Sequence, residues 1–269
     1  MIEVRPFADR VDETEWVALR EVVPAATAPL VLRSPEHAGG MVTLSTVLPM
    51  AWPAMVRGDG SVFVGLQTPG RSGDVSRDVG QAIVAALAAE PGDAISHLPR
   101  DDSAPRLQDL LDPAPLEVTV REGFDYWVEG VPDPTGEIAA SMERANASVV
   151  PTARLASVPS AYWCRMRERS HLRWAMPDDE DTLLDAMARL SSAKGLGLGE
   201  GTKYVGSFRA HGLLVPVWDL PLEMPAQECE EPALALRARL DEAIASPRPP
   251  TDDERRARSG LLSRQLTLR

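Results

Sequence analysis

Ala161-Tyr162-Trp163-Cys164-Arg165-Met166-Arg167-Glu168-Arg169-Ser170-His171-Leu172-Arg173-Trp174-Ala175-Met176 is the stretch on which the fold turns. Its ends are rich in apolar residues at alternate positions and its middle is charged. The segment therefore predicts a β-hairpin of Ala161–Met166 and Leu172–Met176. With Pro159 set on Pro49, the hairpin lies without a gap over an earlier one. Ala51 meets Ala161, Trp52 meets Tyr162, Val56 meets Met166, Arg57 meets Arg167, Val62 meets Leu172 and Leu66 meets Met176. In the earlier copy Trp52, Ala54 and Val56 alternate, Gly58-Asp59-Gly60 turns the chain, and Val62, Val64 and Leu66 alternate back.

Outward from these hairpins the elements come in one order, twice. Asp12–Val23 predicts a helix: Asp12 caps it, Glu15 completes a capping box, Trp16, Leu19 and Val23 share a side, and Pro24 ends it. Leu30–Leu32 and Val42–Val47 predict strands on either side of a Gly39-Gly40 turn. Val79, Ala82, Ile83, Ala86 and Leu87 form the apolar stripe of a helix, matched later by Leu183, Leu184, Ala186 and Met187. After a Pro/Asp-rich stretch with a short helical piece at Arg106–Leu111, Glu117–Val120 and Phe124–Val128 predict a hairpin turning near Gly123. A helix over Pro134–Ala147 follows. In the second half a strand near Ala153–Ser157 precedes the quoted hairpin. Tyr204–Arg209 and Leu213–Trp218 pair later, and Pro232, Leu236, Ala238, Leu240 and Ala243 match Pro134, Ile138, Ala140, Met142 and Ala145.

The expectation is an α+β protein made of two tandem copies of an antiparallel sheet with helices on one face. The copies would occupy residues 1–132 and 133–247, the second sharing the 134–147 helix, with a tail over 248–269 docking on the body. The order of helix, three strands, helix, two strands, helix resembles the type III secretion chaperone-like fold. Members of that fold act as homodimers, so the resemblance implies a built-in pseudo-dimer.

Composition removes several functions. With 269 residues, 44% of them hydrophobic and 25% charged, the chain can bury a sizeable core. A net charge of −12 disfavours general nucleic-acid binding, which depends on neutralising phosphates. Two cysteines, Cys164 and Cys229, make neither a disulfide framework nor a four-thiolate zinc site. The start lacks the basic and apolar regions of a signal peptide and no apolar stretch reaches spanning length, so the expected location is the cytoplasm, without membrane attachment.

The motifs that resemble chemistry read more simply as structure. Gly195–Lys203 is glycine-rich, but its Gly-Thr-Lys order leads into a strand, whereas a phosphate-binding loop opens a helix. His37, His97, His171 and His211 have no partners at short metal-ligand spacing. Cys164 reads as a small core residue and Cys229 as a residue of an acidic loop. Asp178-Asp179-Glu180-Asp181 and Asp252-Asp253-Glu254 read as helix starts. No cofactor, metal site or nucleophile elbow is expected.

One surface invites a function. If Tyr162, Cys164, Met166, Leu172, Trp174 and Met176 point inward, then Trp163, Arg165, Arg167, His171 and Arg173 share the outer face of the second hairpin. Such a basic-aromatic face suits a carboxylate, a phosphate or an acidic peptide, or else is a solvated sheet with arginine stems laid across it. The corresponding face of the first copy, Pro53, Met55, Arg57, Ser61 and Phe63, is more apolar. The tail from Ser246 carries six arginines against three acids and ends in the alternating Leu261–Leu268, a segment suited to docking on its own sheet or on a partner.

Four strings, Glu15–Ala25, Gly199–Tyr204, Phe208–Asp219 and Gly260–Gln265, resemble an uncharacterised actinobacterial family. Its members are sometimes labelled topoisomerase II or SecA-like, labels that find neither a nucleotide-binding loop nor a catalytic-tyrosine context here. The resemblance implies a Lys/Arg-rich leader, which this chain starts without, and it implies no activity. The reading is a non-enzymatic cytoplasmic adaptor or chaperone-like module that binds a protein or peptide. Its alternative is an anion- or nucleic-acid-associated accessory factor that uses the basic-aromatic face.

Overall fold

Trp16, Val17, Ala18 and Leu19, four successive residues, are all buried, so the first helix, α1 (Glu13–Glu21), is enclosed nearly all round there, and Phe7 stacks on Trp16 with ring centroids 5.6 Å apart. The computed structural model describes residues 2–33, 41–70, 72–129, 131–132 and 136–264. His37, the Gly39-Gly40 turn, Pro134 and the end of the tail from Gln265 lie outside the described residues. The chain divides into two units, Met1–Val150 and Pro151–Arg269.

The first unit carries a six-stranded sheet in the order β5-β3-β4-β2-β1-β6. Its strands are β1 (Ala26–Leu30), β2 (Val42–Ser45), β3 (Ala54–Val56), β4 (Val62–Gly65), β5 (Ala94–Ile95) and β6 (Thr119–Val120). The hairpin read around Gly58-Asp59-Gly60 forms with Val56 opposite Val62. The join before it departs from the expectation that every pair is antiparallel, because β2 and β4 are parallel. After β2 the chain turns through Pro49–Ala51, where Met50 and Ala51 take φ of 52° and 55°, and crosses to the far side before β4 returns between β3 and β2.

Helix α2 (Val75–Leu87) starts at Asp74, whose carboxylate accepts from the N–H groups of Ser76 and Arg77. It covers the Val62–Val64 face of the sheet and passes the loop before α3 (Leu107–Leu110) so closely that a Cβ on Gly80 would collide with the Pro105 carbonyl. The opposite face is covered too. Met55 and Phe63 there pack under Trp52, Tyr126 and Trp127, and helix α4 (Glu137–Asn146) adjoins this aromatic segment through Met142 and Ile138. The first unit therefore has layers on both faces, where helices on one face alone were expected.

The second unit has a five-stranded sheet, β10-β11-β9-β8-β7, in which every pair is antiparallel. Its strands are β7 (Thr152–Arg154), β8 (Ala161–Met166), β9 (Arg169–Trp174), β10 (Lys203–Ala210) and β11 (Leu213–Leu220). One face packs on α5 (Glu180–Ser192), α6 (Ala226–Ala245) and α7 (Asp252–Leu262). Trp163, Leu172, Trp174 and Trp218 meet Leu183, Met187, Leu236, Leu240 and Leu261 there. Tyr162, Cys164, Val215 and Val217 on the other face are buried as well. From α4 onward the chain order is helix, three strands, helix, two strands, helix, as read from the sequence.

The acidic clusters serve as helix starts. Asp179 caps α5, and Thr251 and Glu254 form a capping box at α7. Asp178 pairs with Arg237 at 2.7 Å and Asp185 with Arg258 at 2.7 Å. The glycine-rich run is a helix-to-strand connection in which Gly199 and Gly201 take φ of 116° and 74° and the Thr202 hydroxyl bridges Leu198 and Gly199. At the end of α7, the Arg264 carbonyl accepts from Ser207 N–H on β10 at 3.2 Å. No described helix is long and apolar enough to cross a membrane.

Candidate binding site

The five residues chosen from the sequence do not share one face. Met166 pairs with Arg169 across a two-residue turn, which sets Tyr162 opposite Arg173 and Trp163 opposite Leu172. The gap-free overlay carried the longer turn of the first hairpin, with Val56 opposite Val62, into the second. Shortening the turn slips the register by an odd number of residues, and an odd slip exchanges the faces of one strand. Trp163 consequently lies in the core, 8% exposed, with its Nε1 donating to Met224 O at 3.0 Å. Arg165 follows it on that side, its guanidinium 5.2 Å from the Trp163 ring and donating to Leu222 O. Arg167 is in the turn at φ 55°. His171 and Arg173 stand on the opposite face with Cys164.

His171 Nδ1 lies 2.9 Å from Asp219 Oδ1 without hydrogen-bond alignment, and Asp219 also takes Arg169 Nη1 at 2.7 Å. Burial pushes His171 below its ordinary value of 6.5; Asp219 opposes this and Arg173 adds to it. With the folded value below the unfolded one, the unfolded chain takes the proton first. The contribution is then complete above the unfolded value and is lost as pH falls through the folded one. Urea midpoints at pH 7.5 and 5.5 are expected to drop further for the wild type than for His171→Gln. Equal drops would contradict this reading of His171.

Neither thiol is poised for chemistry. Burial pushes Cys164 up, and burial with Glu228 and Glu230 pushes Cys229 up to about 11. Cys229 sits in the first turns of α6, fully buried, and not in a loop. The helix begins a turn and a half before Pro232. Among the described residues no cluster of three His, Cys, Asp or Glu side chains is arranged to hold a metal ion.

A different surface has the shape of a site. The chain has only six tryptophans, three tyrosines and four phenylalanines, yet Trp52, Phe63, Phe124, Tyr126 and Trp127 gather on one face of the first unit. Phe124 and Trp127 stack at 4.3 Å, and Arg57 lies 5.7 Å from the Phe63 ring. Phe124–Val128, expected as a strand, is instead a helical turn over Asp125–Trp127. Asn146 fixes it by accepting from Phe124 N–H at 2.7 Å and donating to Asp125. Tyr126 Oη meets Ser45 Oγ at 2.8 Å and Trp127 Nε1 donates to Val47 O at 3.1 Å, which pins both rings to the sheet.

Beside this cluster opens a cavity of about 440 Å³, floored by Trp52, Met55 and Trp127 and bounded by Ala94 and Val131. That volume falls in the usual range for ligand sites. Asp59, Asp93 and Glu129 on its rim are exposed, while Arg57 is occupied by Glu129 and Asp59. Met55, Arg57 and Phe63 belong to the more apolar outer face noted in the sequence. The aromatic cover was missed because Phe124, Tyr126 and Trp127 lie too near together to alternate cleanly, a mark of a turn and not of a strand.

The model of a family of unknown function, DUF5926, matches residues 6–269. The chain belongs to that family. No curated protein and no solved structure matches it. Membership in the family carries no assigned activity.

Proposed function

We propose that the protein is a non-enzymatic, cytoplasmic adaptor or chaperone-like module that binds a protein or peptide, and that the aromatic groove of the first unit is its binding surface. The observation that carries this reading is a groove whose floor leaves Trp52 and Trp127 half-buried, beside buried Met55, in a chain that buries most of its aromatic residues. Open aromatic pockets with a polar rim are what binding hot spots use. We also read the two units as copies of one ancestral unit. In support, each has a hairpin followed by a 13-residue helix capped by aspartate, and Met50 and Ser160, each after the proline of the overlay, take φ of 52° and 55°.

Val131 is 48% exposed and lines the groove, so Val131→Asp tests the reading at little structural cost. Partners captured by the wild-type chain and identified by mass spectrometry should be lost, at least tenfold, with Val131→Asp, while its melting temperature stays within a few degrees. Undiminished capture would remove the groove from the account.

A second reading rests on the tip of the second hairpin, where Arg165, Arg167 and Arg169 are all exposed. An anion or nucleic acid held there would be released by moderate salt and by the Arg165→Ala/Arg167→Ala pair.

A further inference from the structure

We infer that the groove takes an extended chain segment that adds to the edge of β5, with a large apolar side chain dropped onto the aromatic floor and Lys or Arg two residues to either side. This rests on the reading of the groove as a peptide-binding surface and names the class of peptide.

The backbone fixes the register. Arg57 N–H donates to Ser61 O and Gly65 N–H to Pro53 O, so Met55, midway between Pro53 and Arg57, turns its own amide and carbonyl toward β4. Val56 N–H accordingly donates to Asp93 O on the other side, toward β5. Ala94, opposite Met55, therefore directs its N–H and C=O away from β3, toward the open edge of the sheet, and Ala94 is exposed. A segment pairing there would exchange both hydrogen bonds with Ala94. The residue opposite Ala94 would share the face of Ala94 and Met55, which is the face that carries the groove.

Charge selects the flanks. Residues two positions before and after the anchor lie on that same face, and they reach toward the rim where Asp59 and Glu129 stand. The one cation among the described residues of the lining, Arg57, is spanned by Glu129 and Asp59, and the three groups together leave the rim net negative. The whole chain, at −12, adds attraction for a basic segment.

The probe is the capped heptapeptide Thr-Lys-Thr-Phe-Thr-Lys-Thr, titrated calorimetrically into the full chain. Its comparators replace both Lys by Glu, replace Phe by Ala, or carry N-methyl-Phe, which removes the backbone donor of the anchor. The Lys–Phe peptide should bind at least tenfold tighter than each comparator and lose about tenfold between 50 and 500 mM salt. In the Asp59→Asn/Glu129→Gln variant the preference for Lys over Glu should shrink while the loss on N-methylation stays. Equal binding of the Lys and Glu peptides, or of the N-methylated one, overturns the inference and leaves the groove as a peptide site of another kind. Absence of binding by every peptide also overturns it. The reading of the groove itself fails separately, if Val131→Asp leaves partner capture intact.

Discussion

Replacing Trp163 by alanine is expected to lower the stability of the second unit by about 3–5 kcal/mol. The side chain sits in the core formed with Leu172, Trp174 and Trp218, and its removal also strands the Met224 carbonyl that it satisfies. Arg165 loses the ring over which it lies. Urea unfolding of the variant, followed by far-ultraviolet circular dichroism, should show a midpoint far below that of the wild type. The face assignment drawn from the sequence expects something else, since a tryptophan on a solvated sheet costs less than about 1 kcal/mol to truncate. A mild effect would restore the common basic-aromatic face and contradict the register.

Asp12→Ala is expected to cost a similar amount, about 3–5 kcal/mol, in the first unit. Asp12 does not cap α1 with its side chain. Its carboxylate pairs with Arg10 Nε at 2.9 Å and accepts from Leu116 N–H at 3.1 Å, and the two side chains are 3% and 4% exposed. Arg10 lies 5.3 Å from the Trp16 ring at the centre of this arrangement. Deleting the carboxylate leaves a buried guanidinium without its counter-charge, whereas loss of a cap alone costs about 1 kcal/mol. Replacing both partners, as Arg10→Met with Asp12→Leu, should recover most of the loss in the same unfolding experiment. A cost near that of a cap for the single variant would contradict the buried pair.

These two residues also show what the sequence discloses and what it hides. Hairpins and helix stripes were legible because each is a local pattern. The β3–β4 and β8–β9 pairs, α2 and α5 follow from alternation, from Gly58-Asp59-Gly60 and from apolar spacing. Register was not legible, because it depends on turn length, and an odd slip in one turn moved Trp163 from the surface to the core. Partners far apart in the chain were hidden as well: Asp12 with Leu116, Asn146 with Phe124, and the parallel β2–β4 contact. The groove is made of such meetings. Trp52, Ala94 and Trp127 come from three separate segments, and only the Met55, Arg57 and Phe63 face carried a local trace of it.

The most direct measurement places a photo-crosslinking amino acid at position 131, and separately at position 234 on α6, in cells that contain the natural partners. Leu234 is exposed but far from any part of the groove lining in sequence and unit, so it reports non-specific encounters. The account predicts a discrete adduct from 131 alone, mapped by mass spectrometry to an extended segment with an apolar residue between basic ones. Adducts formed at 234 and not at 131 would contradict it.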